Sequence, residues 1–208
     1  MFLRLTIIFF CLFGLCLKTG IFEGRIKLYT MIYFTIQSNL LVLITYTVSL
    51  ALNIYRNNKI FNMIYGLMLT NIILTCIVYF GVLIPSGFSM YGELPYFDLT
   101  GNLILHLVIP VLVLADFLIG NNKNSILSFR LIPIGDFCLI LYFLFLIIQA
   151  KLGGFIPNQS TKYPYSFIAV DMLGWKKAVE NGLLVLLFHS FISFSAVCVS
   201  KKINTKKS

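Results

Sequence analysis

Thr35, Ser38 and Asn39 stand at i, i+3 and i+4 within the run Tyr33-Phe34-Thr35-Ile36-Gln37-Ser38-Asn39-Leu40-Leu41, so a helix presents them on one face. The stripe continues at the same spacing through Val42, Thr45, Tyr46 and Ser49. A later run holds Asn102 and His106 at i and i+4 and continues to Pro110, and the last apolar run opens with Glu180 and Asn181. Hydroxyl, amide, carboxylate and imidazole groups can exchange protons and donate hydrogen bonds, which is the equipment of a catalytic pocket. The same side chains also bond helix to helix where no water is available. Spacing alone leaves both readings open. The elements that carry these residues must decide whether they meet.

Those elements are apolar. Of 208 residues, 59% are hydrophobic and 11% charged, with a mean hydropathy of +0.94. A soluble domain is about half apolar and about a quarter charged, so too little charge remains to cover a surface in water. Runs long enough to cross lipid recur along the chain. They predict an all-α fold, a polytopic bundle of six transmembrane helices at about 5–19, 31–54, 60–83, 102–119, 131–150 and 178–200. The whole of 1–208 reads as a single membrane domain. The first run, between Arg4 and Lys18, has no A-x-A cleavage pattern after it and reads as a short span rather than a signal peptide. Gly- and Pro-bearing stretches after spans three and five read as long loops.

Six spans put both termini on one side. Nine basic residues fall there, including Arg4, Arg56, Lys59, Lys123, Lys206 and Lys207, against seven on the other, and the termini-side loops are short. The positive-inside rule then predicts a multi-pass protein of the cell membrane with cytoplasmic termini. Tyr29, Tyr33, Tyr91, Tyr96, Tyr163, Tyr165 and Trp175 fall near outer span ends, as an aromatic belt does. Spans two, four and six all run inward. Thr35 and His106 each lie four residues into their spans, roughly 6 Å below the outer boundary at 1.5 Å per residue. Glu180 and Asn181 lie near the start of span six, so polar groups from three parallel helices are expected at one depth.

The remaining polar residues have plainer readings. Asp116 and Asp136 group towards the opposite side, with Arg130 as a partner, and His189 with Ser193 one turn on reads as an interhelical hydrogen-bonding residue. The net charge of +9 sits at span ends as membrane anchors do, and no basic helix with interleaved aromatics lies outside the spans, which argues against nucleic-acid binding. The five cysteines all fall in apolar runs with no CxxC pair, so neither a disulfide framework nor a metal site is expected. Haem held by His106 and His189 is disfavoured because the two lie at different depths.

The stretch Phe34-Thr35-Ile36-Gln37-Ser38-Asn39-Leu40-Leu41, the pair Asn102-x-x-x-His106 followed by Pro110, and Tyr163-Pro164 before the last span together resemble the androgen-induced membrane protein family, bacterial six-span branch. The order and spacing of these motifs match over nearly the whole chain. The resemblance implies a multi-pass threonine hydrolase. The animal members cleave fatty acid esters of hydroxy fatty acids with a membrane Thr and His, and the matching positions here are Thr35 and His106. Leu103 stands where the animal members carry a second His. On this reading His106 takes the Thr35 proton and returns it to the leaving alcohol. Asn102, Gln37 or Asn39 donates to the oxyanion, Ser38 lies beside them, and Glu180 or Asn181 orients the imidazole. A lipid ester is the expected substrate, membrane lipids are the expected partners, and no metal or cofactor is required. The alternative is a non-catalytic transporter, sensor or scaffold that uses the same polar cavity.

Overall fold

A computed structural model describes residues 1–53, 58–86, 96–119, 126–153, 156 and 161–205. Arg56, Tyr91, Lys123, Lys206 and Lys207, which entered the charge and aromatic patterns, lie outside the described residues. Among the described residues the regular structure is helical, without strands. Helix α1 is Phe2–Lys18 and α2 is Phe34–Ala51. Helix α3 is Lys59–Val78, extended by a π-helical turn, Tyr79–Leu83. Helix α4 comprises Tyr96–Leu103, a second π-helical turn at Ile104–Val108, and Ile109–Ile119. Helix α5 is Leu131–Lys151 and α6 is Val170–Thr205, broken at Gly174.

Helices α2 to α6 are long and apolar enough to cross a membrane. Helix α1 has 17 residues, roughly 25 Å of rise, a little less than the hydrocarbon core. Large apolar side chains point outward all along these helices, among them Phe137, Leu141 and Phe145 on α5 and Leu187, Phe191 and Phe194 on α6. Lipid covers such a surface; water would not.

Helix α1 begins at Phe2 rather than 5 and α6 ends at Thr205 rather than 200; three other boundaries differ from the sequence reading for a physical reason. Helix α2 begins at Phe34 rather than 31, because Leu28–Ile32 forms a separate 3-10 turn. Helix α4 begins at Tyr96 rather than 102. The Gly- and Pro-bearing stretch after span three read as a loop up to this point, but Asp98 is held by a 3.0 Å ion pair with Lys18 at the end of α1. Gly101 lets the Lys18 stem pass, since a Cβ there would lie 2.9 Å from its Cγ and Cδ. Helix α6 runs from 170 rather than 178, its first turn set off from the rest by the left-handed backbone of Gly174 (φ 74°).

The helices form two compact units, residues 1–128 with 196–208, and residues 129–195. In the first, α2 packs on α1 and α3, and α4 packs on α1 and α3. Its core includes Ile7, Val42, Met68, Leu69, Ile72, Leu105, Ile109 and Val113. One polar cluster fastens all four helices. The buried Asp116 of α4 accepts hydrogen bonds from the Tyr46 hydroxyl of α2 (3.0 Å) and the Tyr65 hydroxyl of α3 (3.1 Å). Arg4 of α1 lies 3.7 Å from the same carboxylate and donates to Ser49 of α2 at 3.4 Å. Arg4 is therefore the cation beside Asp116, where the sequence suggested Arg130. A cavity of about 10 Å³ lies among Arg4, Thr45, Tyr46, Ser49, Phe61 and Tyr65, room for about one water molecule.

In the second unit, Asp136 of α5 is bonded to His189 Nδ1 (2.8 Å) and accepts from the Ser190 hydroxyl (2.6 Å) of α6. Gly135 makes room for this imidazole, because a Cβ at that position would overlap the His189 ring. His189 thus bonds between helices, as expected, with Asp136 as its partner.

Removing a carboxylate from the Asp116 cluster leaves Arg4 with an uncompensated charge and two tyrosines without their acceptor. Asp116→Ala is expected to lower stability by about 3 kcal/mol, read as a drop in unfolding free energy in detergent micelles. Tyr65→Phe, which removes one donor and keeps the ion pair, is expected to cost less than half as much.

Candidate active site

Helices α2 and α4 meet where Thr35 and His106 face each other. Thr35 Oγ1 lies 3.0 Å from His106 Nε2, and both residues are buried. The other ring nitrogen, Nδ1, lies 2.9 Å from the backbone carbonyl of Asn102, one turn earlier on α4. A carbonyl only accepts, so Nδ1 carries the ring proton. In the neutral imidazole Nε2 is then the acceptor, and the Thr35 hydroxyl donates to it. The bond at one nitrogen fixes what the other can do.

Two local irregularities place these groups. The π-helical turn at Ile104–Val108 contains His106, and the Ile109 N–H reaches back five residues to the Ile104 carbonyl. In that register the Leu105 carbonyl would pair with residue 110, which is proline and has no N–H. The Asn39 side-chain amide supplies the missing donor, 3.3 Å from the Leu105 carbonyl and 2.8 Å from the Thr35 carbonyl. Asn39 therefore joins the turn that carries Thr35 to the turn that carries His106. The Cys11 thiol of α1 donates in turn to the Asn39 carbonyl at 3.0 Å.

The second π-helical turn, Tyr79–Leu83, closes with Ile84 N–H donating to the Tyr79 carbonyl. It sets the Tyr79 ring against the His106 ring, with centroids 3.9 Å apart and planes 21° from parallel. The imidazole is thus held at both nitrogens and on a face. Asp98, two turns before His106 on α4, is paired with Lys18 at the end of α1.

Of the residues named from sequence, Thr35, His106, Asn102 and Asn39 come together here. Ser38 is buried one turn after Thr35. Among the described residues, neither its hydroxyl nor the Asn102 amide nitrogen has a hydrogen-bond partner. Gln37 donates to the Met31 carbonyl at 3.0 Å. Glu180 pairs with Lys177 at 3.5 Å and Asn181 donates to the Phe167 carbonyl at 2.6 Å, all within the second unit. The Asn102 carbonyl holds the His106 ring at Nδ1. The depth count also needs correcting: Thr35 is the second residue of α2 and His106 the eleventh of α4. They meet because α4 overhangs α2, so helix ends are not a measure of depth.

Sequence reasoning missed Tyr79, which at the end of an apolar run looks like any interfacial aromatic. It also missed the Cys11 bond, since a lone cysteine in an apolar run reads as packing. Among the described residues no three His, Cys, Asp or Glu side chains gather as a metal site requires. No protein-family model matches the chain, and no curated protein or solved structure matches it.

The Asn39 bridge is the part of this arrangement that stability measurements can reach. Asn39→Leu keeps the volume but leaves the Leu105 carbonyl unsatisfied, and is expected to cost about 1–2 kcal/mol of unfolding free energy. Gln37→Leu, at a partly exposed position, is expected to change it by less than about 0.5 kcal/mol.

Proposed function

We propose that this protein is an intramembrane hydrolase of lipid esters, with Thr35 as nucleophile and His106 as general base, and that it belongs to the bacterial six-span branch of the androgen-induced membrane protein family. The observation that carries the reading is the 3.0 Å approach of the Thr35 hydroxyl to His106 Nε2, with Nδ1 committed to a carbonyl. A hydroxyl bonded to the acceptor nitrogen of a neutral imidazole is the starting state for general-base activation.

In the first step Thr35 Oγ1 bonds to the ester carbonyl carbon, its proton passes to Nε2, and the carbonyl electron pair moves onto oxygen. The carbon–oxygen bond to the alcohol then breaks, and the alcohol leaves with the proton from Nε2. Water, activated by the same nitrogen, releases the fatty acid from Thr35. Of the three amides that could serve the oxyanion, Asn39 and Gln37 have their donors engaged, whereas the Asn102 amide is buried and available. Substrate and products are lipids, so acyl chains can stay among the apolar helices. In this reading the protein lies in the cell membrane with cytoplasmic termini, and the pair serves the outer leaflet.

A fluorophosphonate probe tests the nucleophile directly in detergent-solubilised protein. Wild type is expected to label and Thr35→Ala is not; equal labelling of the two means that Thr35 is not the reactive nucleophile. His106→Ala is expected to lower lipid-ester hydrolysis by about 100-fold or more, and full activity in that variant rules out the base.

A further inference from the structure

When Nε2 takes the Thr35 proton, the His106 ring becomes an imidazolium inside a buried, apolar site. A Ser-His-Asp triad balances that charge with a carboxylate beside Nδ1. Here Nδ1 meets the neutral Asn102 carbonyl. The acidic residues described in the same unit are engaged elsewhere: Glu23 with Lys27, Asp98 with Lys18, and Asp116 with Arg4. The group that does lie against the ring is Tyr79. Its face is 3.9 Å from the imidazole centroid and tilted by 21°, and the residue is only 1% exposed.

An aromatic face carries negative quadrupole density and attracts a cation placed over it, more strongly where water is excluded. We propose that Tyr79 is a positioning residue for the hydrolysis, and that its ring stabilises the His106 imidazolium that forms as Thr35 attacks the ester. The inference rests on the hydrolase reading of the Thr35–His106 pair. Tyr79 acts through His106 and exchanges no proton: the Thr35 proton goes to Nε2 and leaves with the alcohol, and the ring sees only the passing positive charge. The stacking is built into the backbone. Tyr79 opens one π-helical turn and His106 sits in the middle of the other. The Tyr79 ring also makes an edge-on contact with Phe80, with centroids 5.1 Å apart and planes at 89°. An ordinary packing tyrosine needs neither turn.

The test replaces Tyr79 by phenylalanine and then by mono-, di- and trifluorinated phenylalanines, which drain the ring's quadrupole while keeping its shape. Tyr79→Phe is expected to keep kcat within about 3-fold of wild type. Successive fluorines are expected to lower kcat stepwise, by roughly 10- to 30-fold across the series, with KM and the unfolding temperature unchanged. Tyr79→Leu falls at the bottom of the series. A ring that merely fills space gives a flat kcat from Phe to trifluorophenylalanine, and that result overturns the inference while leaving an active wild type and its Thr35 labelling intact. A wild type that neither hydrolyses lipid esters nor labels at Thr35 removes the hydrolase reading and this inference with it.

Discussion

A polar side chain inside lipid has no water to turn to, so it must find its partner on another helix or on the backbone. Helix α2 carries a full stripe of such side chains, and the first unit is arranged around their needs. Thr35 is met by His106 of α4. Asn39 takes the Leu105 carbonyl of α4 and is itself approached by Cys11 of α1. Tyr46 reaches Asp116 of α4, and Ser49 receives Arg4 of α1. Each bond draws a neighbour to a particular height on α2. Apolar packing alone would let the helices slide, because lipid tails and leucine side chains are nearly equivalent surroundings.

The π-helical turns follow from the same constraint. A wide turn widens the hydrogen-bond register by one residue and leaves a carbonyl to be satisfied. In α4 that debt is the Leu105 carbonyl, made permanent by Pro110, and Asn39 answers it. The sequence thus couples a proline on one helix to an asparagine on another. The gain is orientation: His106 faces Thr35 with one nitrogen and its own helix with the other, and Tyr79, from the matching turn of α3, covers its face.

Much of this could be read from sequence because hydropathy and helical spacing are local properties. The apolar runs gave the helices, and the i, i+3, i+4 stripe gave the inward face of α2, where Thr35, Ser38, Asn39, Val42, Thr45, Tyr46 and Ser49 are all buried. The start of α4 was hidden because the Gly- and Pro-bearing stretch before it read as a loop, and no local pattern shows that its Asp98 is paired with Lys18, 80 positions away. Arg4 was counted as an anchoring charge, although its side chain folds inward to Asp116. Tyr79 was invisible for a different reason. Its role depends on the extra residue in a wide turn, and no composition or periodicity records that turn. Glu180 and Asn181 lie in the second unit, where they are bonded to Lys177 and to the Phe167 carbonyl.

The protein's two histidines show how much the partner at Nδ1 decides. His189 is held by a carboxylate, Asp136, and the neighbouring hydroxyl, Ser190, is bonded to that same carboxylate. The hydroxyl and the imidazole there share an acceptor and do not act on each other. His106 is held by a carbonyl, which fixes the tautomer but supplies no countercharge, and its neighbouring hydroxyl is bonded to the ring itself. The first arrangement ties two helices together and is complete as it stands. In the second the ring nitrogen accepts from the hydroxyl itself, and an aromatic face lies against the ring. That difference, a carboxylate at Nδ1 in one case and a peptide carbonyl in the other, goes with a neighbouring hydroxyl that bonds to the carboxylate in the first and to the ring in the second.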